Sequence, residues 1–215
     1  MMRVGVLASG GGTNLQALLD TCRDEAPARV VLVVSNNPKA GALDRARRAG
    51  VAVAVLDDPS DGDALIELLR AHDVELVVLA GYLKLVPPAV VEAFRDRMLN
   101  IHPALLPSFG GKGMYGHHVH DAVLASGATL SGPTVHIVTT EYDRGPIVAQ
   151  WPVPVAADDT AETLAARVLE TEHQLLPAVV LAAARAGRVV RLVSGAGGFH
   201  AGEPPTDVAE GLTSA

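Results

Sequence analysis

Short apolar runs alternate with helical patterns through the first half of the chain, and this alternation is the feature that most constrains the fold. The runs predict four strands, at residues 4–8, 30–35, 52–56 and 76–80. The patterns between and after them predict helices at residues 14–22, 42–49, 64–71 and 88–94. Strands separated by such helices form βαβ units. We therefore predict an α/β fold, a doubly wound and mostly parallel sheet with helices on both faces.

The pattern changes in the second half. A segment rich in Pro and Gly, 105–116, precedes a predicted helix at 117–125. Two β-like segments, 129–138 and 147–155, are joined by a polar loop. Segments of this kind with turn residues between them predict a β-hairpin, which we expect to extend the sheet.

A long helix is expected after the hairpin. Asp159 with Glu162 three residues later predicts a capping box at its start. The helical pattern reaches about Ala184, and Pro177 is expected to kink the helix or split it in two. A last short strand is expected at 189–193.

Composition defines the expected domain and its setting. The chain is 49% hydrophobic and 19% charged, which supports a substantial core. Because residues 194–215 shift to Gly, Ala, Pro and Glu, we predict one domain, 1–193, followed by a flexible tail. The net charge of −7 disfavours nucleic acid and anionic membranes as partners. With neither a signal peptide nor an apolar run of ~18 residues, we expect a cytoplasmic protein. The one cysteine, Cys22, fits a buried helical face.

A glycine-rich loop, 9–14, follows the first predicted strand and opens the first helix. Free backbone amides at a helix N-terminus bind anions, and Thr13 and Asn14 add a hydroxyl and an amide. The loop lacks the lysine of a P-loop, and Leu15 occupies the place of the third glycine of a dinucleotide fingerprint. These features favour a site for one phosphate of a small substrate. The alternative is a glycine turn that only caps the helix.

Asn100 and His102 follow two apolar runs, 76–80 and 98–99, that read as buried strands. Residues two apart on a strand point the same way, so both side chains can face one volume. In open α/β sheets, ligands bind at the carboxyl ends of the strands. An amide, an imidazole and a remote carboxylate such as Asp143 can stabilise an oxyanion, move a proton and set the charge of the imidazole. The set predicts an enzyme of acyl-type transfer.

With these motifs, the chain resembles the folate-dependent formyltransferases, in particular the glycinamide ribonucleotide (phosphoribosylglycinamide) formyltransferases. The resemblance covers residues 2 to about 193. The motifs that carry it are VLASG at 6–10, GTNLQ at 12–16, VLAGY at 78–82, LNIHPALLP at 99–107, GPTVH at 132–136, Asp143, GPI at 145–147 and EH at 172–173. It implies a Rossmann-like fold. It also implies transfer of a formyl group from 10-formyltetrahydrofolate, a co-substrate, to the amine of glycinamide ribonucleotide in de novo purine (IMP) biosynthesis.

The resemblance also implies roles for individual residues. Asn100 would stabilise the oxyanion, and His102 would act as general acid and base. Asp143 would pair with His102 and raise the pKa of its imidazole. The substrate phosphate and the rest of the ribonucleotide would be held by Gly12, Thr13, Asn14 and Glu172. The folate would be held by Leu83, Lys84, Leu85, Val86, Asn100, Thr139, Thr140, Glu141, Tyr142 and Asp143.

The sequence departs from the family pattern in two places. The stretch 57–63 is acidic and lacks the arginine that members of the family commonly use to contact folate. The loop 110–118 is longer than the common version and resembles a subset of the family. Its neighbouring histidines, His117, His118 and His120, do not complete a metal site, and no metal is predicted. His136 is read as a second partner of the catalytic groups or as a buried core histidine.

Three functions remain open on the sequence alone. The first is the transformylase, with a possible homodimer as its assembly. The second is another enzyme that uses the same donor, such as formyltetrahydrofolate hydrolase or methionyl-tRNA formyltransferase. The third is a non-catalytic module that binds folate or a phosphoribosyl group. The intact set of Asn100, His102 and Asp143 favours an enzyme.

Overall fold

The computed structural model describes residues 1–195 and 198–202. The strands are β1 (Met2–Leu7), β2 (Ala28–Ser35), β3 (Ala52–Val55), β4 (Leu76–Leu79), β5 (Met98–His102), β6 (Leu130–Ser131), β7 (Thr134–Ile137), β8 (Ile147–Gln150), β9 (Val153–Pro154), β10 (Leu192–Gly195) and β11 (Gly198–Ala201). The helices are α1 (Thr13–Thr21), α2 (Gly41–Arg48), α3 (Gly62–Ala71), α4 (Pro88–Ala93), α5 (His117–Ala125) and α6 (Ala161–Ala186).

Seven strands form the central sheet, in the order β3-β2-β1-β4-β5-β7-β8. The first five are parallel, and β7 and β8 extend the sheet as an antiparallel hairpin. The predicted doubly wound, mostly parallel sheet and its added hairpin are confirmed. The chain winds outward from β1 to β3 and then returns to β4 on the other side of β1. The crevice at the carboxyl ends of β1 and β4 is therefore the switch point at which such sheets bind ligands.

Both faces of the sheet are covered by the apolar sides of helices. On one face, α1, α2 and α6 pack in a core that includes Leu15, Leu43 and Leu175. Cys22 is buried in this core, and burial raises the pKa of its thiol to about 11. On the other face, α3 contributes Leu69 and α4 contributes Val90. Strands buried on both faces read as continuous apolar runs, which is why the sequence pattern found them.

The long helix and the hairpin differ from the sequence prediction in their details. The helix α6 is capped by Thr160 and Thr163, whose side chains and backbone amides bond reciprocally, so the box predicted at Asp159 and Glu162 was wrong by one residue. Asp159 instead accepts hydrogen bonds from Arg167. Of the two outcomes predicted at Pro177, a kink or a split, the split is excluded because α6 runs unbroken through this residue, and the kink stays a prediction.

Each predicted arm of the hairpin is interrupted. The first arm divides into β6 and β7 at Gly132, whose φ is 132° and whose missing side chain leaves room for the Trp151 carbonyl. The second arm divides into β8 and β9 at residues 151–152, opposite Gly132. The short strands β6 and β9 then pair with each other in a separate two-stranded sheet.

The last strands lie slightly beyond the predicted positions. The strand β10 begins at Leu192 rather than at residue 189, and it pairs with β11 across the start of the segment expected to be a tail. Residues 196, 197 and 203–215 of that segment lie outside the described residues, so the boundary after 193 stays a prediction. Within the part of the chain that is described, no helix is long and apolar enough to cross a membrane.

Candidate active site

A cavity of about 650 Å³ opens at the carboxyl ends of the central strands. Its floor includes Leu79 from the end of β4 and Asn100 and His102 from β5. The loops after β1 and β4 are joined there, because Ser9 Oγ accepts a hydrogen bond from the Leu83 amide at 3.0 Å. The cavity therefore lies at the crevice that the strand order defines.

Asn100, His102 and Asp143 converge on this cavity. Asn100 pairs with Leu79, the last residue of β4, so its side chain emerges where the parallel strand ends. Asp143 lies in the loop between β7 and β8, and its Oδ2 is 3.6 Å from His102 Nδ1. Its Oδ1 accepts a hydrogen bond of 3.3 Å from Asn100 Nδ2. The amide, the imidazole and the carboxylate that the sequence linked are thus in contact.

His136 completes the polar cluster from the neighbouring strand. It stands opposite Asn100 in the β5–β7 pairing, and its Nε2 is 3.0 Å from Asn100 Nδ2 and 3.4 Å from Asp143 Oδ1. Its Nδ1 donates to the Ile137 carbonyl at 2.8 Å, because a carbonyl oxygen can only accept. Both amide hydrogens of Asn100 therefore face protein groups in this structure.

The charge of Asp143 is set by the groups that face it. Burial alone would raise the pKa of this carboxyl group, but the neighbouring imidazoles of His136 and His102 and the hydrogen bond from the Gly111 N–H outweigh burial and lower it below its ordinary value. Asp143 is thus the ionised member of the cluster.

The pKa of His102 departs from the sequence prediction. Burial lowers the pKa of its imidazole below the ordinary value, and the Asp143 carboxylate offsets only part of this effect. Asp143 does raise this pKa, as predicted, but burial, which the sequence analysis did not weigh, has the larger effect and sets the net direction. The physical reason is that the His102 side chain is only 4% exposed, so that charging it costs solvation.

A second polar pair, Asn14 and Glu172, lies elsewhere on the wall of the same cavity. Asn14 Nδ2 donates to Glu172 Oε2 at 2.6 Å, and both residues are buried. Burial raises the pKa of Glu172 to about 7, and the bond from Asn14 counteracts only part of the shift. Asn14 Oδ1 is buried and has no hydrogen-bond partner among the described residues. A ligand donor at this point would satisfy it.

The glycine loop lies beside this pair, and its shape is set by the packing of α2. Gly12 has a φ of 76°, and a Cβ there would come within 2.7 Å of Ala42 Cα. Ala42 N–H and Arg45 Nε–H donate to the carbonyls of Gly10 and Gly11, respectively. Asn14 and Glu172 line the cavity, whereas Gly12 and Thr13 lie outside its lining residues.

Most of the residues expected at a folate site line the cavity. Leu83, Lys84, Leu85 and Val86 come from the loop after β4, and the loop after β7 contributes Thr139, Glu141, Tyr142 and Asp143. The neighbouring Thr140 is exposed and is not among the lining residues.

The loop 110–118 forms another wall of the cavity. Lys112, Tyr115 and His117 line it, together with His120 from α5, whereas His118 packs edge-on against the Tyr115 ring. Among the described residues, no group of His, Cys, Asp or Glu side chains has the arrangement of a metal site.

Sequence reasoning missed two backbone groups that hold the catalytic side chains. The Phe109 carbonyl accepts a hydrogen bond of 2.8 Å from His102 Nε2, and the Gly111 N–H donates to Asp143 Oδ2 at 2.9 Å. Backbone groups carry no side-chain signature. The glycine pair at 110–111, at the start of the long loop, was the only signal that could have pointed to this close approach.

Comparison with known proteins agrees with the family resemblance found in the sequence. The family model described as "Formyl transferase" matches residues 2–180. The chain is 50% identical over 186 residues to the chloroplastic phosphoribosylglycinamide formyltransferase of Arabidopsis thaliana, covering 83% of this chain and 64% of that protein. It is 39% identical to the phosphoribosylglycinamide formyltransferase of Escherichia coli (strain K12), covering 83% of this chain and 85% of that protein.

Solved structures also resemble this one. Glycinamide ribonucleotide transformylase 1 from Symbiobacterium toebii matches with a TM-score of 0.81 and 43% identity, covering 94% of each chain. Phosphoribosylglycinamide formyltransferase from Anaplasma phagocytophilum matches with a TM-score of 0.82 and 35% identity, covering 96% of each. The chain nevertheless spans less than two thirds of the length of the Arabidopsis relative. By its family match, its identity to these relatives and its fold, this chain belongs to the formyl transferase family.

Proposed function

We propose that this protein transfers a formyl group from 10-formyltetrahydrofolate to the primary amine of glycinamide ribonucleotide, a step of de novo purine biosynthesis. The observation that carries the proposal is the convergence of Asn100, His102 and Asp143 on one cavity. Relatives that bear the name phosphoribosylglycinamide formyltransferase support the choice of substrate.

The cavity suits two ligands of different character. Leu83, Leu85 and Val86 offer aliphatic contacts along one wall, which suits the flat ring system of a folate. Asn14 and Glu172 offer hydrogen-bonding groups suited to a ribonucleotide, next to the glycine loop. In this proposal Gly12 and Thr13 bind the phosphate through the amides and hydroxyl at the start of α1.

The catalytic groups would act on the formyl carbon. Attack by the amine places negative charge on the formyl oxygen, and Asn100 would donate a hydrogen bond to it. For this, one amide hydrogen of Asn100 must leave His136 or Asp143 and turn to the formyl oxygen. His102 would deliver a proton to the departing folate nitrogen, and Asp143 would stabilise the imidazolium that holds it.

An amine-dependence assay tests the proposal. The protein is mixed with 10-formyltetrahydrofolate, with and without glycinamide ribonucleotide, and the loss of the formyl group is followed by absorbance. We expect deformylation only when the amine is present, with formylated ribonucleotide as the product. Equal deformylation without the amine would instead identify a formyltetrahydrofolate hydrolase.

The remaining predictions about the setting of the protein belong to the same proposal. We propose that the protein acts on small-molecule substrates, binds neither nucleic acid nor membrane and needs no metal. We also propose a cytoplasmic location and a possible homodimer. The E. coli and Haemophilus influenzae relatives, of which this chain spans 85% and 86%, bear the name phosphoribosylglycinamide formyltransferase, which supports small-molecule substrates.

A further inference from the structure

The short segment 109–111 contacts both members of the His102–Asp143 pair through its backbone. The Phe109 carbonyl accepts a hydrogen bond from His102 Nε2 at 2.8 Å. Two residues later, the Gly111 N–H donates to Asp143 Oδ2 at 2.9 Å. One stretch of main chain thus holds the imidazole from one side and the carboxylate from the other.

The first contact determines which ring nitrogen of His102 carries a proton. A carbonyl oxygen has no hydrogen to give, so Nε2 must be the protonated nitrogen. In the neutral ring Nδ1 is then bare, and it is Nδ1 that faces the Asp143 carboxylate. At 3.6 Å this is an ion-pair distance and too long for a hydrogen bond. A proton gained on Nδ1 is therefore stabilised by charge without being bound to a partner.

The backbone conformations of Phe109 and Asp143 indicate that the surrounding fold holds these two residues against His102. Phe109 has a φ of 56° and Asp143 a φ of 55°, in the left-handed region that residues with a side chain rarely adopt. Both residues touch the His102 ring. Strain of this kind persists only where the surroundings fix it, and it clusters at active sites.

Gly110, between the two contacting groups, makes the close approach possible. A Cβ at this position would overlap the Leu106 side chain and lie 3.1 Å from Asp143 Cβ. A side chain there would push the segment away from Asp143 or from His102. The glycine therefore has a local steric role, separate from any backbone turn.

We propose that the segment 109–111 is a positioning element that fixes the tautomer of His102, so that Nδ1 is the atom that delivers the proton to the departing nitrogen. The inference rests on the proposed function. In the step, the Nδ1–H bond of the imidazolium breaks and an N–H bond forms on the leaving nitrogen. The neutral ring that remains keeps its proton on Nε2, still bound to the Phe109 carbonyl, and Asp143 stays ionised throughout.

The tautomer can be measured without any activity. Protein labelled with ¹⁵N-histidine is examined by long-range ¹H–¹⁵N correlation NMR above the pH at which His102 titrates. We expect His102 to show the Nε2–H tautomer and His136, whose Nδ1 donates to Ile137, to show the opposite one. His136 is thus an internal reference. An Nδ1–H tautomer for His102 would overturn the proposal, even if the enzyme transfers formyl groups as expected.

Gly110→Ala tests whether the segment sets this tautomer. We expect a mixture of His102 tautomers, an unchanged His136 signal and a fall in kcat of about tenfold or more with a shifted pH–rate profile. The ionisable groups around His102 that enter this profile are Asp143, His136 and His120. Ser108→Ala, an exposed change next to Phe109, should keep the wild-type tautomer and profile. If Gly110→Ala folds and keeps the wild-type tautomer and pH–rate profile, the segment does not set the tautomer. If the variant does not fold, the tautomer of His102 in the wild-type spectrum tests the proposal by itself.

Discussion

Asp143 and Glu172 line the same cavity, yet their carboxyl groups are held in opposite ways. Asp143 faces the Asn100 amide, two imidazoles and a backbone N–H, and its pKa lies below the ordinary value. Within the described part of the chain, Glu172 accepts a hydrogen bond from the Asn14 amide alone, and burial raises its pKa to about 7. The comparison teaches that the donors around a buried carboxylate, rather than burial itself, decide whether it is ionised.

The difference suits two tasks. A fixed negative charge beside His102 stabilises an imidazolium and therefore serves proton transfer. A carboxyl group that is half protonated near neutral pH can both donate and accept hydrogen bonds, which suits recognition of a polar ligand. We call the cluster of Asn100, His102, His136 and Asp143 the charged network, because Asp143 is ionised. We call Asn14 and Glu172 the neutral pair, because burial favours the protonated form of Glu172.

The largest expected effect follows from removing the imidazole of the charged network. His102→Ala should lower kcat by ~10²–10⁴-fold, because general acid catalysis is lost, while the Michaelis constants change little. Steady-state kinetics with both substrates measures it. His72→Ala, at the end of α3 and away from the cavity, is the control. Turnover close to that of the wild type would rule out the role of His102.

The neutral pair should be visible in the pH dependence of stability. Because the folded-state pKa of Glu172 is raised from 4.5 to about 7, its favourable contribution is complete below pH ~4.5 and is lost as the pH rises to about 7. Glu172→Gln cannot ionise. The free energy of unfolding of the wild type should therefore fall relative to this variant by roughly 3 kcal/mol across that window.

Chemical denaturation of both proteins at several pH values measures this difference. Glu170→Gln, an exposed change on the same helix, should show no such window. If the difference between wild type and Glu172→Gln is the same at acidic and neutral pH, then Glu172 is ionised like an ordinary surface acid.

Neutralising the charged network should give a smaller loss. The Asp143 carboxylate raises the pKa of His102, so Asp143→Asn lowers that pKa further. At neutral pH the imidazolium fraction falls by about tenfold for each pKa unit lost. We expect kcat to drop and the basic limb of its pH profile to move to lower pH. Asp158→Asn, an exposed acid, is the control, and an unmoved basic limb would argue against the pairing.

The smallest effect is expected at the edge of the Asn14–Glu172 region. Thr13→Val removes one hydroxyl from the proposed phosphate site, which is worth about 0.5–1.5 kcal/mol. The Michaelis constant for the ribonucleotide should rise severalfold, and that for the folate should stay constant. Thr21→Val, at the other end of α1, gives the matched control. An equal rise for both substrates would remove Thr13 from the phosphate site.

The sequence predicted most of the fold because its signals were local. Apolar runs such as 76–80 report burial on both faces, and the spacing of Asn100 and His102 reports a shared direction on a strand. The capping box was displaced by one residue because Asp159 found a stronger partner in Arg167, eight residues away. A contact of this kind competes with the local pattern and is visible only in three dimensions.

The electrostatics of the site could not be predicted in the same way. The sign of the His102 shift depends on how deeply the ring is buried, which is a property of the assembled cavity. The contacts from Phe109 and Gly111 come from backbone atoms that every residue has. Asp143 could be named from its motif, but the three groups that lower its pKa, His136, His102 and the Gly111 N–H, come from β7, β5 and the loop after β5.

Direct titration of the two carboxyl groups tests the comparison most directly. Protein with ¹³C-labelled Asp and Glu carboxyl groups is titrated by NMR, and the spectra of Asp143→Asn and Glu172→Gln assign the two signals. We predict that Asp143 titrates below 3.8 and Glu172 at about 7. Titration of Asp143 above its ordinary value, or of Glu172 near 4.5, would contradict the proposed division between a charged and a neutral end of the cavity.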